Sequence, residues 1–144
     1  MPKRKIIVTF QDDDEPAING EKTTPHSDGN NGRNVYITPH FVLKVDDRGY
    51  DHDDLAQWKR IKKEDRKYFV PVLAQGINSD GISWSIQPYI ELDWEVTDKA
   101  KGIVIWLCNK YHLVDIDTEY TSPRNWAMHD GQPVIFDYGL GAAY

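Results

Sequence analysis

The pattern between Thr97 and His112 constrains this chain most. Ala100, Ile103, Val104, Leu107 and Tyr111 recur at helical spacing behind a threonine that can cap a first turn. One amphipathic helix is expected there, and its apolar stripe needs a surface to cover it. The remaining apolar runs are short and β-rich: Lys5–Phe10, Asn34–Thr38, Phe41–Val45, Tyr68–Gln75 and Ile82–Tyr89. They read as strands, the last two as a hairpin over Asn78-Ser79-Asp80-Gly81. Asp51–Lys67 reads as another helix, with acids at its start, bases at its end, and Leu55, Trp58 and Ile61 on one face. Trp126–His129, the turn Asp130-Gly131 and Val134–Phe136 form a small hairpin. The stretch 11–33 is polar and aperiodic, with an acidic cluster at Asp12–Glu15 and turn formers at Pro16, Gly20, Pro25, Gly29 and Gly32. It is expected as a mobile or functional loop. The order of elements gives an α+β fold: an antiparallel sheet carrying one helix, joined through Glu91–Asp98 to a small helical part.

With 144 residues the chain is expected to form a single domain with its own core. No apolar run approaches the roughly 18 residues of a membrane helix. No apolar stretch long enough for a secretory signal follows Met1-Pro2-Lys3-Arg4-Lys5. A cytoplasmic protein without a membrane partner is therefore expected. Cys108 is the single cysteine, which excludes an intramolecular disulfide framework and a Cys-rich zinc site. Seventeen basic and 23 acidic residues give a net charge of −6, so non-specific nucleic-acid binding is not expected. One local exception is the run Lys59, Arg60, Lys62, Lys63, Arg66 and Lys67, read as a solvated helix face or a docking surface for an acidic partner. The histidines show no metal-ligand spacing. The five tryptophans read as core and joining residues rather than a base-stacking platform.

Three residues point to chemistry. Lys44 interrupts an apolar strand, Phe41-Val42-Leu43-Lys44-Val45, and shares a face with Val42 by alternation. Turned inward it needs a partner; turned outward it guards a sheet edge. Asp137 follows the buried-strand pattern Pro133-Val134-Ile135-Phe136 and precedes Tyr138-Gly139, a place suited to a metal ligand or to a turn carboxylate. Asn125 lies twelve residues earlier, at the other end of the same hairpin. An Asn and an Asp so placed can converge on Mg²⁺, a hard cation that takes oxygen ligands.

Together these residues resemble the landmarks of protein kinases. Val42-Leu43-Lys44 is similar to the V-A-I-K strand motif, and Asn125 with Asp137-Tyr138-Gly139 to the catalytic-loop Asn and the D-F-G motif. The likeness runs from about Gly29 to Gly139 and is closest to small kinase-like proteins of phages and bacteria. It implies a five-stranded antiparallel N-lobe sheet with one helix over residues 1–90, and a truncated helical C-lobe over 91–144. It implies ATP and Mg²⁺ as cofactors. Lys44 would hold the α/β-phosphates, with Asp54 (beside Asp53) in place of the family's helix glutamate. Gln87, Pro88, Tyr89 and Ile90 would meet the adenine with their backbone. Gly29 and Gly32 would cover phosphates, and Asn125 and Asp137 would bind the metal.

The pattern departs from the family in three places. The residue five before Asn125 is Tyr120 rather than aspartate, so Asp115 or Asp117 would have to serve as base. The glycines at 29 and 32 have an unconventional spacing. Five residues follow Gly139, so no activation segment or peptide-binding lobe is expected unless a partner supplies one. The resemblance implies Ser/Thr phosphorylation of the chain itself or of a bound host protein, or else a catalytically dead pseudokinase that binds and redirects a partner.

Overall fold

The computed structural model describes residues 5–11, 14–27, 33–46, 54–113, 116 and 125–136. The chain divides into two compact units, one of residues 1–51 and 73–89, the other of 52–72 and 90–144. The segment holding the first helix therefore groups with the second unit and not with the large sheet.

The first unit carries two sheets. β1 (Val8–Gln11), β2 (Asp14–Ile18) and β3 (Glu21–Lys22) form a small antiparallel sheet in that order. β4 (Thr24–Ser27), β5 (Arg33–Ile37), β6 (Phe41–Asp46), β7 (Ala74–Ile77) and β8 (Ser83–Pro88) form an antiparallel five-stranded sheet in the order β4-β5-β6-β8-β7. Three of these strands, β2 to β4, lie inside the stretch 11–33, which was expected as a loop. The reason is local. Asn19 (φ 52°) and Gly20 (φ 81°) form a tight turn between β2 and β3, and Asn-Gly is the strongest short hairpin signal. Asn19 also clamps the neighbouring strand, its N–H donating to the Ile7 carbonyl and its Oδ1 accepting the Ile7 N–H, both at 2.8 Å. Pro16, Ala17 and Ile18 are buried. The five-stranded count holds, but β4 fills the place expected for the first strand.

Alternation then builds the core of this unit. Leu43, Val45 and Ile86 point to one face and pack with Ile18, Val8, Phe10, Tyr36 and Trp84. Gly76 lies opposite Trp84, whose indole covers it: a Cβ on Gly76 would fall 2.5 Å from Trp84 Cζ2. The hairpin between β7 and β8 turns at Asn78–Gly81, with Asn78 Oδ1 accepting the N–H groups of Asp80 and Ile82.

The second unit holds α1 (Asp54–Arg60), a 3₁₀ stretch (Lys63–Tyr68), α2 (Asp98–Tyr111), β9 (Trp126–His129) and β10 (Gln132–Ile135). The single helix expected over 51–67 breaks at Ile61-Lys62, where Lys62 is extended (φ −63°, ψ 144°). Tertiary bonds outweigh helix propensity here. The Lys62 N–H donates to Tyr111 Oη at 3.0 Å, and Arg66 Nε donates to the Ile61 carbonyl at 3.1 Å. The strand expected over 68–75 is likewise cut short. Phe69 makes one parallel bridge to Ile135, and Pro71, which has no N–H for a ladder, precedes the short β7.

α2 is capped as its sequence implies. Thr97 Oγ1 accepts the Ala100 N–H at 3.1 Å, and His112 closes the other end in the left-handed conformation. Its stripe Ala100, Val104, Leu107 and Tyr111 packs with Ile61, Phe69, Trp126, Met128 and Ile135. β9 and β10 are joined by Asp130 (φ 50°) and Gly131 (φ 79°). Among the described residues, no helix is long and apolar enough to cross a membrane.

Candidate functional site

Lys44 sits in β6, the middle strand of the five-stranded sheet. It lies opposite Val35 on β5 and Ser85 on β8, and Val42 beside it lies opposite Gln87. Leu43 and Val45 fill the apolar face, so Lys44, Ser85 and Gln87 share the other. That face is nonetheless closed to solvent: Lys44 is 7% exposed, Ser85 5% and Gln87 2%. A buried ammonium needs compensation, and Lys44 is engaged in the fold rather than left bare. Of the two expectations for Lys44, the inward one holds and the sheet-edge one is overturned, because β6 is not an edge strand.

The segment following β8 offers little of the donor capacity expected of it. Pro88 has no N–H, and the Tyr89 N–H donates to the His40 carbonyl at 2.9 Å. The Tyr89 side chain is exposed.

In the second unit, Asn125 precedes β9 with φ 66°. Its carbonyl accepts the Phe136 N–H at 3.1 Å, which closes the open end of the hairpin. The sequence expectation that one hairpin separates Asn125 from Asp137 therefore holds as far as Phe136. Asp54 opens α1 in the same unit. Gly29, Gly32, Asp115, Asp117 and Asp137, together with the Asp54 side chain, lie outside the described residues. Among the described residues, no group of three His, Cys, Asp or Glu could hold a metal ion. Asn125 is thus the single proposed metal ligand described, and the metal assignment rests on the sequence order Asn125 to Asp137. His129 is bound locally, with Nδ1 2.8 Å from the Glu91 carbonyl oxygen and Nε2 3.4 Å from Asp130.

Sequence reasoning missed a polar cluster in this unit. Asp65, on the 3₁₀ stretch, is buried and accepts from Lys110 Nζ at 2.7 Å and from Tyr111 Oη at 2.5 Å. Burial opposes ionisation of Asp65, but the hydrogen bonds from Lys110 and Tyr111 outweigh it and hold the carboxyl below its ordinary value. Burial, and then the bond to Asp65, raises the Tyr111 phenol; the same carboxylate raises Lys110. The only advance signal was a carboxylate within a run of six bases, which looks like any solvated helix. Gln57 was also missed: it is fully buried, with Oε1 accepting from Arg60 and Nε2 without a partner among the described residues. Burial pushes the Cys108 thiol up to about 11, which suits an inert side chain. Two of the five tryptophans, Trp94 and Trp106, are about half exposed rather than core, at 52% and 49%.

No protein-family model and no curated protein matches the sequence.

Proposed function

We propose that this chain is a protein-kinase-like phosphotransferase that uses ATP and Mg²⁺ to phosphorylate Ser or Thr on itself or on a bound protein. The observation that carries the reading is Lys44, a buried cation in the middle strand of a five-stranded antiparallel sheet, flanked by buried Ser85 and Gln87. Lys44 is engaged in the fold, and its face carries further buried polar groups, a setting in which an ammonium can also meet an anionic phosphate. Asn125 at the mouth of the β9–β10 hairpin, with Asp137 following Phe136 in sequence, supplies the oxygen donors a hard cation takes.

In this reading Lys44 neutralises the α/β-phosphates, and Asn125 and Asp137 hold the metal, which screens charge on the phosphates. Asp115 or Asp117 accepts the proton of the attacking hydroxyl as the new O–P bond forms at the γ-phosphorus and the bond to ADP breaks. The adenine contact falls to carbonyl groups around Pro88 and to the Ile90 N–H, since the Tyr89 N–H is committed to His40. A second reading, a pseudokinase that binds a partner without transfer, is favoured by Tyr120 at the position where the family places its aspartate.

Calorimetric titration with ATP, with and without Mg²⁺, tests both. Saturable Mg²⁺-dependent binding that is lost in Lys44→Met and Asp137→Asn is expected. Transfer of labelled γ-phosphate then supports the enzyme, and binding without transfer selects the pseudokinase. No binding at millimolar ATP rejects the nucleotide reading altogether.

A further inference from the structure

We propose that the segment Lys59–Lys67 is a docking surface for a short acidic polypeptide. It carries six bases and two acids, a net +4, in a chain of net charge −6, so the rest of the chain carries −10. The fold sharpens that contrast. Asp65 is withdrawn from the surface by its bonds to Lys110 and Tyr111, leaving Glu64 as the only exposed acid of the segment. Lys59, Arg60, Lys62, Lys63 and Lys67 remain exposed. Among the described residues, Lys59, Lys62 and Lys63 make no ion pair. The two arginines are spent on the fold. Arg60 Nη1 donates to Gln57 at 3.2 Å, and Arg66 bonds to Ile61 with its guanidinium 4.7 Å above the Trp58 ring.

The exposed lysines span the end of α1, the extended Lys62 and the 3₁₀ stretch Lys63–Tyr68. That stretch runs about 12 Å at about 2.0 Å per residue. An extended peptide of about four to six residues covers the patch. A polyphosphate chain is the poorer occupant. It extends past the patch, and the chain outside Lys59–Lys67, at net −10, offers it no comparable basic run.

Anisotropy of fluorescein-labelled hexaglutamate, at low and at physiological salt, is the test. The wild-type chain is expected to bind saturably, and more weakly as salt rises. The triple variant Lys59→Glu, Lys63→Glu, Lys67→Glu should bind at least tenfold more weakly. A control triple, Lys5→Glu, Lys22→Glu, Lys99→Glu, makes the same change in net charge at exposed sites elsewhere and should stay within twofold. Lys59→Gln, Lys63→Gln, Lys67→Gln repeats the test without added repulsion, should the reversed chain fail to fold. Equal losses in the two triples, absence of binding, or tighter binding of a single-stranded oligonucleotide with six phosphates would each overturn the proposal. The result is independent of ATP binding, so it stands or falls apart from the kinase reading.

Discussion

Tyr111→Phe probes the buried cluster of the second unit with the smallest possible change. The phenylalanine keeps the ring and its edge-to-face contact with Phe69, whose centroid lies 6.0 Å away at 90°. Only the hydroxyl goes, and with it two bonds: one donated to the Asp65 carboxylate and one accepted from the Lys62 N–H. A hydrogen bond to a charged group contributes about 1.5–3 kcal/mol and a neutral one about 0.5–1.5 kcal/mol. Lys62 is exposed, so water replaces part of the second bond. The expected loss is about 2–4 kcal/mol at pH 7. Acid gives a second readout. The Asp65 carboxyl is held below its ordinary value, so its stabilisation is complete above that value and is lost as pH falls through the lower folded-state value. Tyr111→Phe removes one of the bonds that lower it, so the variant should lose less stability than wild type on acidification. Urea melts followed by far-UV circular dichroism at pH 7 and at about pH 3 measure both effects, the lower pH lying below the ordinary carboxylate value. A loss under about 0.5 kcal/mol at pH 7, the range of ordinary surface changes, would refute the argument. So would equal acid sensitivity in the two chains.

Two further outcomes follow from contacts already described. Gly76→Ala places a methyl group 2.5 Å from Trp84 Cζ2, so the indole must tilt out of its packing; a loss of about 1–3 kcal/mol with a changed near-UV tryptophan signal is expected. Cys108, with its thiol pushed up to about 11, should react slowly with Ellman's reagent at pH 8 in the folded chain and rapidly in urea. Rapid labelling of the native chain would contradict the burial assigned to it.

What was legible in the sequence was whatever a single strand or helix decides for itself. Thr97 at the cap, the α2 stripe, the Asp130-Gly131 turn and the pairing of Val42 with Lys44 on one face all follow from local periodicity. What was illegible depends on partners distant in sequence. The helix over 51–67 satisfies every local rule and still breaks, because Tyr111, 49 residues after Lys62, takes its N–H. The strands hidden in 11–33 have a different cause. Their polar residues mask the period-2 signal, and Asn19-Gly20 was the one cue that could have revealed them. The candidate site splits the same way: Lys44 was recognised by its misfit in an apolar strand, whereas Asp65 looked ordinary until its partners were in place.

Asn125 is where a backbone explanation and a functional one compete, and they can be separated. Its φ of 66° favours Asn or Gly by conformation alone, so the residue type does not by itself argue for a metal ligand. Glycine serves that backbone at least as well while removing the side-chain oxygen. Asn125→Gly should therefore stay within about 1 kcal/mol of wild-type stability. Asn125→Ala should cost about 1–2 kcal/mol, because alanine lacks the short polar side chain that lets Asn bond locally in the left-handed conformation. If the amide holds Mg²⁺, Asn125→Gly loses Mg²⁺-dependent ATP binding despite its sound fold, and Asn125→Asp, which keeps an oxygen donor and tolerates positive φ, retains it. If Asn125 only turns the chain into β9, ATP titration of the glycine variant matches wild type. The metal role would then have to be withdrawn, while the hairpin closed by Phe136 remained explained.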